Sequence, residues 1–297
     1  MNDTHRWRSD LLGPGRTVEL SAGAIECFER GEGPALVFCH GWLANANLWR
    51  KAVDLLCRDF RCLVLDLPLG SHRLPMAAGA DLSPSGIGAL IVEALERLEL
   101  TAATLVGNDS GGAYAQIALA QHGERIGDRV SRLVLTSCET PYDEWPPPPF
   151  DGLPAAAGDP KILGELLGAL EDPAVRAMPA AYGLLLKHPI EASVSDSYAL
   201  PASRESGVLR DVAKAMASAS TVPVRAAGEH LIASSELPVQ LIWSREDEVF
   251  PLAHAARYAD ALRNGRLQSI DDAYSFTPED RPDAVAAAIR EFARVAR

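Results

Sequence analysis

The strongest constraint on the fold is an alternation of short apolar runs with helical patterns that is interrupted only once. Such an alternation favours β-α units and a mainly parallel sheet. Seven runs are predicted strands: 25–29, 35–39, 61–67, 104–108, 132–136, 239–243 and 266–270. Helices are predicted around 48–57, after the capping sequence at 81–84, directly after 110, at 252–262 and at 282–293.

The interruption begins after Glu139, where Trp145 is followed by four prolines and Phe150. Such a stretch fits neither a helix interior nor a central strand, because proline lacks the backbone N–H. Residues from about 160 to 237 are rich in Ala and Leu at helical spacing. We therefore predict a core domain formed by residues 1–140 and 237–297, with a helical cap domain inserted at 141–236.

Charge and hydropathy limit the classes of partner that the chain is expected to bind. The chain has 28 basic and 40 acidic side chains and a net charge of −12, which disfavours nucleic acid because a phosphate backbone attracts a Lys/Arg surface. No apolar run reaches the roughly 18 residues of a membrane span, and the N-terminus lacks the apolar region of a signal peptide. We expect a cytoplasmic protein with a small-molecule substrate and no membrane partner, and a homodimer is left open.

The chemistry is concentrated where the fourth predicted strand turns abruptly into a helix. There, Gly107 and Gly111 are the small positions of a nucleophile-elbow pattern, small-x-nucleophile-x-small, which makes Asp109 the nucleophile. Moving the frame by one residue selects Ser110 but puts Asn108 where a small residue belongs. A third interpretation is a glycine-rich turn whose aspartate merely caps the helix.

The elbow and three further segments resemble the α/β-hydrolase superfamily, within it the branch with an aspartate nucleophile, the haloalkane dehalogenases and epoxide hydrolases. The segments are His40-Gly41-Trp42, the D-x-P-x-G loop from Asp66 to Gly70, and Leu241 to Asp247 followed by Pro251. The resemblance covers nearly the whole chain. It implies an α/β-hydrolase fold: a mostly parallel eight-stranded sheet with helices on both faces and an inserted helical cap.

The resemblance also assigns roles to residues. It implies Asp109 as nucleophile, Asp247 as the supporting acid, and the backbone N–H groups of Trp42 and Ser110 as the oxyanion hole. It implies no organic cofactor, and the sequence has neither a metal-ligand constellation nor a phosphate-binding G-x-x-x-x-G-K loop.

One position departs from the family pattern. The family's catalytic histidine lies a few residues before a proline and the closing helix, and counting back from Pro282 with Phe276 as anchor places Ser275 there. A carboxylate can attack without a histidine because it is already ionised near neutral pH. Hydrolysis of the resulting ester needs a base, however, and a serine has no suitable pKa. Ser110 also stands where dehalogenases usually have a halide-holding tryptophan.

Four further residues are candidate contacts in the active site. His72 follows the strand at 61–67 and is expected at the same sheet edge as the elbow, although an ordinary loop histidine is the stronger interpretation. His40 is expected to orient the oxyanion loop. Asn108 and Tyr274 are candidate hydrogen-bond donors to substrate.

Three functions are compatible with these residues. The first is a hydrolase-like enzyme that acts on a small to medium apolar electrophile, such as an epoxide, ester or alkyl halide, through Asp109 as nucleophile. The second is a non-hydrolytic lyase, isomerase or cyclase of the same fold with Asp109 as general base. The third is a catalytically silent ligand-binding protein.

Overall fold

The computed structural model describes residues 4–294, and its centre is one eight-stranded sheet of order β1-β2-β4-β3-β5-β6-β7-β8. The β1–β2 and β2–β4 pairs are antiparallel, and every other neighbouring pair is parallel. The strands are β1 (Gly15–Leu20), β2 (Gly23–Arg30), β3 (Ala35–Cys39), β4 (Arg61–Asp66), β5 (Ala103–Asn108), β6 (Val130–Thr136), β7 (Val239–Ser244) and β8 (Gly265–Ile270).

The seven strands predicted from apolar runs are confirmed, with ends that coincide or differ by one or two residues. Strand β1 is additional. It is an edge strand in which only Val18 and Leu20 are buried, so its sequence has too few apolar residues to be recognised as a strand.

Helices surround the sheet and fill the interval between β6 and β7. The α-helices are α1 (Arg50–Leu56), α2 (Pro84–Arg97), α3 (Ser110–Gln121), α4 (Gly123–Ile126), α5 (Leu153–Ala157), α6 (Pro160–Gly168), α7 (Pro173–Arg176), α8 (Ala192–Ala199), α9 (Pro201–Arg204), α10 (Ser206–Ala217), α11 (Thr221–Ser234), α12 (Leu252–Ala261), α13 (Thr277–Asp280) and α14 (Pro282–Arg294). Short 3₁₀ or π turns lie at Thr4–Arg6, Asp10–Leu12, Ala46–Trp49, Ala169–Glu171 and Pro179–Gly183.

Two groups of helices cover the sheet: α1 packs with α14, and α3 packs with both α2 and α11. The predicted capping start of α2 is confirmed, because the Ser83 hydroxyl accepts a hydrogen bond from the backbone N–H of Gly86, with Pro84 at the first helical position. The amphipathic α14 buries Val285, Ile289 and Phe292, as its spacing predicts.

Residues 137–152 carry neither helix nor strand, which confirms the effect expected of the proline run. Helices α5 to α11 follow before β7 begins. Helices α5, α6, α9 and α10 pack among themselves, whereas α11 packs on α3. The division into a core and a cap at 140/141 and 236/237 stays a prediction. None of the helices between residues 4 and 294 is long and apolar enough to cross a membrane.

Because β5, β6, β7 and β8 are parallel neighbours, the segments that follow them emerge at one edge of the sheet. Asp109 follows β5, Glu139 lies three residues beyond β6, Asp247 three beyond β7 and Ser275 five beyond β8. Ligands bind at this edge in open α/β sheets.

Candidate active site

The turn from β5 to α3 has the backbone geometry of a nucleophile elbow. Asp109 has φ +52° and ψ −146°, and Ser110 is the first residue of α3. A Cβ on Gly107 would lie 2.6 Å from the Cα of Gly112, and one on Gly111 would lie 2.6 Å from the backbone oxygens of Cys39 and His40. The steric reason predicted for the two glycines is therefore confirmed, and Asp109, rather than Ser110, holds the strained position.

The two carboxylate oxygens of Asp109 have different surroundings. Oδ1 accepts hydrogen bonds from the backbone N–H of Ser110 and from the Ser110 hydroxyl, the latter at 2.8 Å. No hydrogen bond between the described residues uses Oδ2. A capping side chain bonds the N–H of the second or third helical residue, whereas Asp109 bonds that of the first. The geometry thus differs from that of an ordinary helix cap.

The two predicted oxyanion-hole donors lie beside this carboxylate. The N–H of Ser110 donates to Asp109 Oδ1, and the N–H of Trp42 donates to the Ser110 hydroxyl at 3.4 Å. Gly41 allows this approach, because a Cβ there would lie 2.7 Å from Cβ and Cγ of Asp109. The indole N–H of Trp42 points elsewhere and donates to the hydroxyl of Tyr114 at 2.8 Å.

Asp109 opens onto an apolar cavity. Most of the wall is hydrophobic and is shared by the core and the insertion. It includes Leu43, Phe150, Leu153, Leu167, Leu185, Met216, Val249 and Phe250. The polar residues of the wall include Asp109, Ser110 and Glu139, and Trp145 lies beside them. The hydroxyl of Tyr182, also in the wall, is already engaged by the backbone oxygen of Leu43 at 2.8 Å.

Glu139 is a second carboxyl group in the same cavity wall and is 1 % exposed. Its Oε2 has no hydrogen-bond partner among residues 4–294. Its backbone oxygen accepts a 2.8 Å hydrogen bond from the side chain of Gln116, which in turn accepts one from the hydroxyl of Tyr258 at 3.0 Å. The main chain of Glu139 is therefore held in place, while Oε2 of its side chain has no partner among the described residues.

Asp247 and Ser275 lie together, as counting along the sequence predicts. The Ser275 hydroxyl donates to Asp247 Oδ1 at 2.7 Å, and the backbone N–H groups of Val249 and Phe250 donate to the same oxygen at 3.0 and 2.9 Å. Both side chains are buried, and neither is part of the cavity wall. Their catalytic roles stay predictions.

Burial raises the pKa of all three carboxyl groups. It raises the pKa of Asp109 to about 6, with a contribution from the charge of Asp247, although the hydrogen bonds from Ser110 act against it. Burial also raises the pKa of Asp247 to about 6. The pKa of Glu139 is raised well above its usual value by burial and by the negative charges of Asp109 and Asp143.

The histidines expected near the site lie outside the cavity wall. His72 faces α10, where its Nε2 is 3.3 Å from an Asp211 carboxylate oxygen that also accepts the backbone N–H of Met76. The expectation that His72 contacts the substrate therefore finds no support in its position. His40 donates from Nδ1 to the backbone oxygen of Gly41 at 2.9 Å and accepts from Leu67 N–H at Nε2, which suits an orienting role. Burial lowers the pKa of His40 to about 4.

Asn108 and Tyr274 also lie outside the cavity wall. The Asn108 amide donates to the backbone oxygens of Thr136 and Ser275, both at 2.9 Å, so it ties the ends of β5 and β6 to the loop after β8. The backbone N–H of Tyr274 donates to Asp280 at 2.9 Å. No described contact brings either side chain to Asp109, and their substrate roles stay predictions.

Comparison with known proteins identifies the family. A model of the α/β hydrolase fold matches residues 34–282. The chain belongs to this family. The hydrolase YugF of Bacillus subtilis, itself uncharacterised, is 25 % identical over 86 % of this chain and 89 % of its own length. Haloalkane dehalogenase 2 of Mycobacterium bovis is 27 % identical over 93 % of both chains, and an epoxide hydrolase of Caballeronia sordidicola is 28 % identical over 40 % of this chain and 37 % of its own.

Solved structures agree on the fold. An α/β hydrolase fold protein from Burkholderia ambifaria superposes with a TM-score of 0.77 at 23 % identity, over 93 % of this chain and 97 % of that one. The epoxide hydrolase CorEH superposes with a TM-score of 0.75 at 16 % identity, over 94 % and 98 %. The expected fold class is thereby confirmed, and the chain is a hydrolase-like enzyme. Among residues 4–294, no group of His, Cys, Asp and Glu is arranged to hold a metal ion.

Sequence reasoning missed two members of the site. Glu139 is an acidic residue just after a buried strand, at the sheet edge where the family's functional residues collect, and this signal was available. Trp145 is 3 % exposed, with an indole N–H that has no partner within the described part of the chain. It lies in the proline-rich stretch that marks the predicted domain boundary, where no motif assigns it a role.

Proposed function

We propose that this protein is an enzyme that uses Asp109 as a nucleophile against a small or medium-sized apolar electrophile, such as an epoxide, ester or alkyl halide. One observation carries the proposal. Oδ1 of Asp109 is held by two donors from Ser110, whereas Oδ2 has no partner and the residue lines an apolar cavity. A carboxylate with one oxygen anchored and the other free is suited to attack a bound carbon atom.

The anchored oxygen also suits the second half of such a reaction. After attack through Oδ2, Oδ1 becomes the carbonyl oxygen of the ester, and it already accepts the N–H of Ser110. When water adds to that ester, negative charge develops on Oδ1. The N–H groups of Ser110 and Trp42 lie beside this position and stabilise that charge.

The cavity supports the substrate class. Its wall is mainly aliphatic and aromatic, so it favours an apolar body over a charged one. Trp145, whose ring lies 5.8 Å from that of Trp42 in a stacked arrangement, adds an aromatic surface to this wall. The haloalkane dehalogenase and epoxide hydrolase among the relatives give this choice of electrophiles further support.

A second candidate is a non-hydrolytic reaction in which Asp109 acts as a general base, as in a lyase, isomerase or cyclase. It is favoured by the pKa of Asp109 near 6, which suits proton abstraction, and by a cavity wall in which no described histidine takes part. A catalytically silent binding protein is the third alternative.

A single turnover in ¹⁸O-labelled water, with enzyme in excess over styrene oxide or an alkyl ester, separates these alternatives. If Asp109 is the nucleophile, the label of the first turnover enters the Asp109 carboxylate, and the oxygen added to the product comes from the enzyme. If Asp109 only activates water, the label enters the product directly. A product without label after many turnovers indicates the non-hydrolytic enzyme.

Asp109→Asn is the matching variant and should lower turnover at least 1,000-fold, an order of magnitude typical for loss of a nucleophile. Asp151→Asn is its control, since Asp151 is exposed and lies outside the cavity wall. Full activity in Asp109→Asn on a verified substrate would refute the proposal. Substrate binding with no turnover of any electrophile would favour the silent binding protein.

A further inference from the structure

We propose that Glu139 does the work of the missing histidine: as a neutral acid it protonates the leaving oxygen while Asp109 attacks, and as a carboxylate it then activates the water that hydrolyses the Asp109 ester. This inference rests on the function proposed above. It adds a catalytic residue that the family motifs in the sequence did not identify.

The position of Glu139 carries the inference. It lies in the wall of the cavity onto which Asp109 opens. The two residues are held together by the sheet, because Asn108 pairs with Thr136 and the N–H of Asp109 donates to the backbone oxygen of Ser137 at 2.9 Å. Glu139 is thus two residues from a direct main-chain contact of the nucleophile.

The surroundings of Glu139 favour its neutral form before attack. The side chain is buried, and Oε2 has no partner among the described residues, so an ionised carboxylate there would be uncompensated. The charged groups that act on it are Asp109 and Asp143, both negative, and they raise its pKa together with burial. Asp143 itself is held by His254 Nδ1 at 2.6 Å and by the Thr140 N–H and hydroxyl.

The reaction balances for an epoxide. In the first step, Asp109 Oδ2 forms a bond to an epoxide carbon, the C–O bond of the ring breaks, and the proton of Glu139 moves to the released oxygen. In the second step, the Glu139 carboxylate takes a proton from water as the hydroxide adds to Cγ of Asp109. The tetrahedral intermediate then expels the alkoxide, which takes the proton of the new carboxyl group. Asp109 ends as a carboxylate, Glu139 as a neutral acid, and the product is a diol.

Electrostatics explain why Asp109 and Glu139 can carry out both steps of this reaction. Asp109 and Glu139 share one negative charge at each stable stage: it is on Asp109 before attack, on Glu139 in the ester, and on Asp109 again after hydrolysis. The apolar cavity therefore never holds two adjacent carboxylates, which a site of low polarity disfavours strongly. Esterification of Asp109 also removes the larger of the two charge repulsions that oppose ionisation of Glu139.

Asp247 is less suited to this role although it too is a buried carboxyl group. Its Oδ2, like Oε2 of Glu139, has no partner among the described residues, but its Oδ1 already accepts three hydrogen bonds, from Ser275, Val249 and Phe250. It is not part of the cavity wall. A general base must lie within about one water of the ester, and in this cavity Glu139 is the carboxyl group beside Asp109.

The test compares Glu139→Gln with the wild type on two probes. With 1-iodobutane, whose leaving iodide needs no proton, the variant should form the butyl ester of Asp109 at nearly the wild-type rate but hydrolyse it 100- to 10,000-fold more slowly, the usual range for loss of a general base. The ester should then accumulate and be detected on the Asp109 peptide by mass spectrometry. With styrene oxide, formation of the ester should slow as well, because the released alkoxide needs the proton.

Glu144→Gln is the control, since Glu144 is exposed on the same loop, and it should match the wild type on both probes. Added formate should accelerate ester hydrolysis in Glu139→Ala, which a merely structural role of Glu139 would not produce. Because glutamine has the shape of a neutral glutamic acid, the Gln variant should melt at or above the wild-type temperature.

Ester hydrolysis at the wild-type rate in Glu139→Gln would overturn the inference, and a variant that fails to fold would overturn the assignment of a neutral Glu139. Failure of the underlying function looks different. In that case, no alkyl group appears on Asp109 in the wild type or in either variant.

Discussion

Replacing Asp109 by asparagine should stabilise the protein at neutral pH while it abolishes turnover. Burial raises the pKa of Asp109 from 3.8 to about 6, so the folded protein binds this proton more tightly than the unfolded chain does. Between about pH 4 and pH 6 the folded state holds a proton that the unfolded state has lost. The free energy of unfolding therefore falls as pH rises through this window and is constant above it.

The pKa of Asp109 differs between the unfolded chain (3.8) and the folded protein (about 6). At ~1.4 kcal/mol per pH unit, this difference lowers the free energy of unfolding at pH 7 by ~3 kcal/mol. An asparagine avoids this loss because it is neutral, and its oxygen still accepts the two hydrogen bonds from Ser110. We expect Asp109→Asn to unfold with a free energy larger by ~3 kcal/mol at pH 7.5. The melting temperature should rise by on the order of 6 °C.

Asp66→Asn is a control of opposite sign. Asp66 is 2 % exposed and so more deeply buried than Asp109, but it forms a 2.7 Å ion pair with Arg8, and the pKa of its carboxyl is lowered. Removal of its charge leaves the buried guanidinium uncompensated and should destabilise the protein by ~3–5 kcal/mol.

Urea unfolding of both variants at pH 4.0 and pH 7.5 provides the assay. The advantage of Asp109→Asn should be large at pH 7.5 and fall to ~0.5 kcal/mol at pH 4.0, where Asp109 is neutral in the folded protein and about half ionised in the unfolded chain. An advantage independent of pH, or a variant less stable than the wild type at pH 7.5, would refute the assignment of a destabilising buried charge to Asp109.

Four further predictions concern turnover. Gly41→Ala should lower kcat ~100-fold or more, because the new methyl group would lie 2.7 Å from Cβ and Cγ of Asp109 and displace the carboxylate. Steady-state kinetics measure this loss, and a melting curve equal to that of the wild type shows that the loss is not due to unfolding. His72→Gln should change kcat/KM less than threefold, since His72 faces Asp211 rather than the cavity, and a tenfold loss would contradict that reasoning. The value of kcat/KM should fall about tenfold per pH unit below about pH 6, because the nucleophile is protonated there. Trp145→Phe should raise KM and leave this pH dependence unchanged.

The elbow was predictable from sequence because its rule is local and steric. Gly107 and Gly111 are required by atoms within a few residues or on the adjacent strand, and the structure shows those close approaches. The pairing of Asp247 with Ser275 was predictable for a similar reason, since both follow strands whose order the family resemblance supplies.

The environment of His72 was not predictable in the same way. Its loop follows β4 at the correct sheet edge, yet the direction of its side chain is decided by Asp211 in α10, about 140 residues later in the chain. Contacts between the insertion and the core depend on packing that no local pattern encodes. The role of Glu139 was not predictable for a related reason: it depends on the position of Glu139 in space beside Asp109, and no sequence motif marks it.

Because a serine follows β8 where the family has a histidine, the base is expected on another strand, and β6 provides it. Ser275 donates a hydrogen bond to Asp247 but has no group that ionises near neutral pH, and Asp247 lies outside the cavity wall, so this pair is not placed to activate water at the ester. A replacement base must come from another strand that ends at the same edge. Strand β6 is the direct neighbour of β5, and a carboxyl group on it shares both the cavity and the electric field of the nucleophile. That closeness couples the ionisation of Glu139 to the charge of Asp109, whereas a histidine in the position of Ser275 would have drawn its charge balance from Asp247.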